Sequence, residues 1–188
     1  MKNNKIIIAI TGASGAVYAK QLLFRLSALS NAPEIAVVFS ENGNKVWHYE
    51  LGEELPNLKV VKLFDCNDMF ASVASGSANY KSMIVIPCSM GTIGRIATGT
   101  SDNLIIRAAD VMLKEKRQLI LVPRESPYNL IHIRNMETLL LAGAQLIPAS
   151  PSFYSHPKTI DELVATVVDR VLLQLGYEEN LFEWGKEN

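Results

Sequence analysis

The chain has 188 residues, 48% of them hydrophobic, with a net charge of −1 from 18 basic and 19 acidic side chains. That length fits one domain large enough to bury a core. The charge balance gives no reason to expect nucleic acid or an anionic membrane as the main partner. Two cysteines, Cys66 and Cys88, stand far apart without a CxxC pair, which argues against a disulfide framework or a zinc site. The start, Met1-Lys2-Asn3-Asn4-Lys5, leads into an apolar run too short for a signal-peptide core or a membrane span, so the expected compartment is the cytoplasm.

Apolar runs of strand length recur at residues 5–10, 34–39, 58–63, 83–87, 118–123 and 144–148. Most are continuous Ile/Val/Leu stretches, the pattern of parallel strands buried on both faces. Helical patterns fall between them. Residues 17–29 are amphipathic. Residues 102–117 open on Ser101 or Asp102 as N-cap and end in Lys114-Glu115-Lys116-Arg117, basic as the helix dipole prefers. Residues 129–142 and 159–175 read similarly, the latter stopped by Gly176. Alternating strands and helices predict an α/β fold: a single-domain doubly wound, Rossmann-like parallel sheet with helices on both faces. The domain spans residues 1–188, with 179–188 as a C-terminal tail carrying Leu181, Phe182 and Trp184.

Ligands of open α/β sheets bind beyond the carboxyl ends of the strands. The first strand is followed by Thr11-Gly12-Ala13-Ser14-Gly15 and the second by Ser40. The strand at 83–87 is followed by Cys88-Ser89-Met90-Gly91-Thr92, the strand at 118–123 by Arg124-Glu125-Ser126, and the last by Ala149-Ser150-Pro151 and Phe153-Tyr154. One sheet edge therefore collects glycines, hydroxyls, two charges and an aromatic. The first turn puts glycines before a helix N-terminus, where backbone N–H groups favour a phosphate and Ser14 adds a hydroxyl donor. The same glycines also suit a plain tight β–α turn. The turn lacks the first paired glycine of the dinucleotide fingerprint, so a mononucleotide fits better, although Glu41 after Ser40 keeps an NAD reading open.

Arg107, Asp110 and Lys114 line one helix face, as a solvated ion-pair stripe or as part of a site. Arg124-Glu125, leaving a buried strand, faces the ligand crevice or forms a structural pair. Glu50 lies on the helix after Ser40. Cys88 reads as a buried structural thiol, and His48, His132 and His156 have no metal-ligand spacing.

Taken together, these turns resemble the flavin prenyltransferase (UbiX-type) family, within the wider group of flavin-containing cysteine decarboxylase-like proteins. The matching stretches are Thr11-Gly12-Ala13-Ser14-Gly15, Ala74-Ser75-Gly76-Ser77, Pro87-Cys88-Ser89-Met90-Gly91-Thr92 and residues 103–115 (NLIIRAADVMLKE). Further matches are residues 121–127 (LVPRESP), Asn135-Met136, Phe153-Tyr154 and Asp169-Arg170-Val171. The resemblance implies an enzyme that joins the dimethylallyl group of a dimethylallyl phosphate to N5 and C6 of reduced FMN without a metal. The prenylated FMN would serve UbiD-type decarboxylases. It further implies a homo-oligomer, a dodecamer by family, with the site at a subunit interface. By position, Gly12, Ala13, Ser14, Ser40, Ser89, Met90, Gly91, Thr92 and Arg124 would hold FMN. Tyr154 and Arg170 would hold the prenyl phosphate, with Arg107, Lys114 and Glu125 near it and Glu50 beside the flavin. The Pro-x-Met-Asn signature of the cysteine-type decarboxylases is missing, which argues against that reading, and a second phosphate pocket argues against a non-catalytic flavin carrier.

Overall fold

The isoleucine run near the start is strand β1 (Lys5–Ile10), with every residue after Lys5 buried. A computed structural model describes residues 4–177 of the chain. β1 pairs in parallel with β2 (Glu34–Phe39) on one side and β4 (Ser82–Cys88) on the other. With β3 (Val61–Phe64), β5 (Gln118–Pro123) and β6 (Gln145–Leu146) they form an all-parallel six-stranded sheet ordered β3-β2-β1-β4-β5-β6. The single-domain α/β expectation holds. Burial on both faces explains why the central strands lack polar alternation.

Alternate strand residues face two cores. Ile6, Ile8, Ile10, Ile84 and Ile86 pack under α1 (Ala16–Ser27), α2 (Glu41–Leu51) and α6 (Ile160–Gln174). Ile7, Ala9, Met83, Val85 and Leu121 pack under α3 (Met90–Thr98), α4 (Leu104–Lys114) and α5 (Leu130–Leu141). The order reverses between β1 and β4, which opens a crevice at the carboxyl ends of those two strands.

Element ends differ from the sequence reading for local reasons. α4 starts later than expected and is capped by Asn103, whose side chain accepts from Ile106 N–H, while Asp102 instead pairs with Arg95 at 3.2 Å. α4 also ends earlier: Lys116 takes a left-handed φ of 52°, and Arg117 leaves the helix to donate to the Tyr80 and Gly76 carbonyls. β6 shortens to two residues, paired to β5 alone. Asn129 and Thr159 cap α5 and α6 as their sequences suggest. The tail 179–188 lies outside the described residues. Among the described residues no helix is long and apolar enough to cross a membrane.

Candidate functional site at the β1–β4 switch point

The two strand ends that flank the crevice are tied together by Thr11, which is 1% exposed. Its hydroxyl donates to the Pro87 carbonyl at 2.8 Å and accepts from Ser89 N–H at 2.9 Å. Its own N–H reaches the Pro87 carbonyl at 3.3 Å. In the sequence Thr11 is one more turn residue; its only signal is a hydroxyl directly after a buried strand. Thr11→Val keeps the shape but leaves the part-buried Ser89 N–H without its acceptor, so a loss of about 1 kcal/mol is expected. Thermal unfolding and FMN titration measure it; unchanged stability and affinity would remove Thr11 from this role.

The turn after β1 is shaped for close approach. Gly15 has φ 113°, a left-handed value that glycine adopts without strain. A Cβ on Gly12 would stand 2.6 Å from Asn42 Cβ, so α2 sits directly on the turn. The α1 N-terminus, expected to meet a ligand phosphate, meets a side chain of this chain. Those donors already have an anion: Gly15 N–H donates to the Glu50 carboxylate at 2.9 and 3.1 Å, and Ala16 N–H donates at 2.8 Å. A carboxylate is a favourable partner for a helix N-terminus, and α2 delivers one from 35 residues along the chain.

Partial burial by itself would raise the Glu50 pKa. Hydrogen bonds from the Ser14 hydroxyl and the Gly15 and Ala16 N–H groups, together with the Arg124 charge, outweigh it and hold the carboxyl below its ordinary value of 4.5. A group whose folded pKa is depressed stabilises the fold above its unfolded value, and that contribution disappears as pH falls through the folded value. The Tm gap between wild type and Glu50→Gln is therefore expected to be widest at neutral pH and to close on acidification below 4.5. A gap independent of pH would contradict the role of the charge.

The second turn carries the open donors. Ser89 caps α3, accepting from Thr92 N–H at 3.3 Å and lying 3.0 Å from the Thr92 hydroxyl. Met90 and Gly91 head this helix, where N–H groups have no intrahelical acceptor. Space above Gly91 is open: a Cβ there would meet nothing nearer than 3.8 Å. Ser40 caps α2, accepting from Gly43 N–H at 2.9 Å, and its own N–H is held by the Ile10 carbonyl at 2.9 Å. Arg124 N–H bonds the Cys88 carbonyl at 3.2 Å, and its side chain reaches back to the Ser14 carbonyl at 3.3 Å. Ser14, Ser40, Ser89, Thr92 and Arg124 thus surround one crevice. Hydroxyls, helix-leading N–H groups and a guanidinium are a donor set suited to a phosphate, so these residues fit a mononucleotide. Ala13 is buried at the turn and Met90 is buried at the head of α3.

The remaining candidates are placed elsewhere. Glu125 follows Arg124, and its carboxylate accepts from Ser126 N–H at 3.0 Å. Arg107 pairs with Asp110 at 2.9 Å and donates to the Ala74 carbonyl, as the ion-pair reading allowed. Lys114, exposed, ends α4 just before β5 begins, whereas Arg124 follows the end of β5. At ~3.3 Å per residue that separates them by roughly 20 Å along the strand. Ser152 N–H donates to Thr166 Oγ1 at 3.1 Å, which ties the segment before Phe153-Tyr154 to α6, the helix that carries Arg170. Arg107 and Lys114 are on the α4 face of the sheet, Arg170 on the α6 face. Within one chain these cations do not converge. Cys88 is fully buried, and burial pushes its thiol well above the ordinary range, so it is held as an unreactive thiol.

Comparison with known proteins agrees with this geometry. Residues 1–172 match the family model described as Flavoprotein. The chain is 42% identical to a flavin prenyltransferase UbiX of Methanocaldococcus jannaschii, covering 96% of this chain and 98% of the relative. It is similar to the crystal structure of AnUbiX in complex with FMN and dimethylallyl pyrophosphate, with TM-score 0.92, 36% identity and full coverage of both chains. It is also similar to a dodecameric FMN-dependent UbiX-like decarboxylase from Escherichia coli O157:H7, with TM-score 0.91 and 39% identity over 97% of this chain and 100% of that one. Over nearly its whole length, the chain belongs to the flavin prenyltransferase (UbiX) family of flavoproteins.

Proposed function

We propose that this chain transfers a dimethylallyl group from a dimethylallyl phosphate to N5 and C6 of reduced FMN, releasing phosphate and a prenylated FMN that UbiD-type decarboxylases use. The observation that carries the reading is the switch-point crevice. Ser89, Met90, Gly91, Thr92 and Arg124 form a donor-rich wall suited to an anion, and Glu50, its pKa lowered, is held at the other turn. When bound, reduced FMN supplies the electron-rich ring that attacks the allylic carbon.

Gly12, Ala13, Ser14 and Ser40 line the β1 and β2 side of that crevice, and the α3 turn with Arg124 takes the FMN phosphate. Tyr154 and Arg170 grip the prenyl phosphate, with Arg107 and Lys114 adding positive charge that stabilises the departing phosphate without a metal. Glu125, next to Arg124 in the chain, would serve as the proton donor to that phosphate. Glu50, held at the turn after β1 with a lowered pKa, would act as a proton acceptor toward the bound flavin. Its lowered pKa makes it a weak base, adequate for a strongly acidic ring proton.

Because Lys114 and Arg170 lie on opposite faces of one chain, we read the prenyl-phosphate pocket as completed by a second copy. Supporting surfaces are present. α5 buries only Leu139, while Leu130, Ile131, Ile133, Leu140 and Leu141 are exposed, Leu141 to 83%. Contiguous exposed apolar surface of this kind marks an interface. A homo-oligomer, dodecameric as in the Escherichia coli relative, is the assembly we expect. Two free cysteines fit the reducing cytoplasm as its compartment.

The test is functional transfer. The chain, reduced FMN and dimethylallyl monophosphate or diphosphate are incubated without oxygen, and the extracted flavin is added to an apo UbiD-type decarboxylase. Restored CO2 release with either donor is the expected result. No restoration with both donors would overturn the product assignment.

A further inference from the structure

In a sheet of this order a dinucleotide lays its pyrophosphate on the turn after β1 and runs its adenosine half toward the end of β2, where an acid meets the ribose. Three observations close that route here. The leading N–H groups of α1 are occupied, Gly15 and Ala16 donating to Glu50 Oε2 at 2.9 and 2.8 Å. The turn is covered by α2, close enough that a Cβ on Gly12 would lie 2.6 Å from Asn42 Cβ. The acid after β2, Glu41, pairs with Lys45 at 2.6 Å within its own helix, its side chain 84% exposed.

We propose that Glu50 is a specificity-determining residue: its carboxylate is a resident anion that keeps a pyrophosphate off the α1 N-terminus, so the cleft takes FMN in preference to FAD or NAD. The single phosphate of a mononucleotide is left with the α3 N-terminus, where the donors are open. A pyrophosphate entering at the first turn has to displace a carboxylate that holds three short backbone contacts, or share one small volume with a like charge. This rests on the mononucleotide-flavin reading of the crevice and adds which residue enforces it.

Equilibrium binding of FMN, FAD and NAD to the full chain tests it, in wild type, Glu50→Gln and Glu50→Ala, with circular dichroism confirming the fold of each. Wild type is expected to prefer FMN over FAD. In Glu50→Ala that preference is expected to fall by about tenfold or more through a gain in FAD affinity, and in Glu50→Gln by less, because the amide keeps an acceptor but not the charge. An unchanged FMN-to-FAD ratio in folded Glu50→Gln overturns the proposal, as does an equal loss of both flavins in the two variants. If Glu50→Ala does not fold, Glu50→Gln decides. Wild type failing to bind FMN at all overturns the flavin reading itself, a distinct outcome.

Discussion

Lys114→Ala and Arg170→Ala are each expected to bind FMN normally and to lose prenyl transfer by about 100- to 1,000-fold, the scale of removing one charge-stabilising group from a reacting centre. The two side chains sit on different faces of the sheet: Lys114 ends α4 on one, and Arg170 lies on α6 on the other. The loss should therefore appear in turnover and not in flavin affinity. Reassembling the two inactive variants together carries the sharper expectation. If each pocket takes Lys114 from one chain and Arg170 from another, random mixing restores about a quarter of the sites to full composition. A single-chain pocket restores none. Flavin absorbance confirms loading, and phosphate release reads turnover. A mixture as inactive as its parents contradicts the shared pocket, and a fully active single variant removes that residue from its role.

Gly43→Ala should be the most damaging small substitution near the site. A Cβ at Gly43 would lie 2.1 Å from the Ile10 carbonyl oxygen, which already accepts Ser40 N–H at 2.9 Å. Neither atom can move without pulling the head of α2 off the end of β1. About 3 kcal/mol of overpacking strain is expected, lowering Tm by roughly 6–12 °C for a chain of this size. Ser40 and Glu50 ride on the same helix, so FMN affinity should fall with stability. Gly52, at the other end of α2, is the control: its φ is 65° but nothing lies within 4 Å of an added Cβ. Gly52→Ala should cost only the left-handed backbone penalty, about 1–2 kcal/mol, with FMN binding intact. Comparable losses in the two variants would mean that the contact between Gly43 and β1 is not what fixes α2.

The sheet was legible in the sequence because its strands are buried on both faces. β1, β2 and β5 read out as uninterrupted apolar runs with the observed ends. The edge strands were legible in place but not in their bounds: the runs at 58–63 and 144–148 became β3 (Val61–Phe64) and β6 (Gln145–Leu146), short, partly exposed strands whose ends are set by pairing. The site was legible as a set of strand ends, since topology alone sends Ser14, Ser40, Ser89 and Arg124 to one side of the sheet. Three features were hidden for physical reasons. The partner of the α1 N-terminus is Glu50, 35 residues away, and no local spacing encodes a helix cap delivered by another helix. Thr11 looks like any turn hydroxyl until β4 is placed beside β1. The division of the cations between two faces depends on which side each helix crosses, which a list of residues does not contain.

The mass of the flavin that this chain releases tests flavin prenylation most directly. The chain is mixed with FMN, a reductant and dimethylallyl monophosphate without oxygen, and in parallel with the diphosphate. The flavin is then extracted and weighed. A mass increase of one C5H8 unit, dependent on wild-type protein and strongly reduced in Lys114→Ala, is the predicted result. Unmodified FMN in every reaction, from protein that binds FMN and is fully folded, would contradict it.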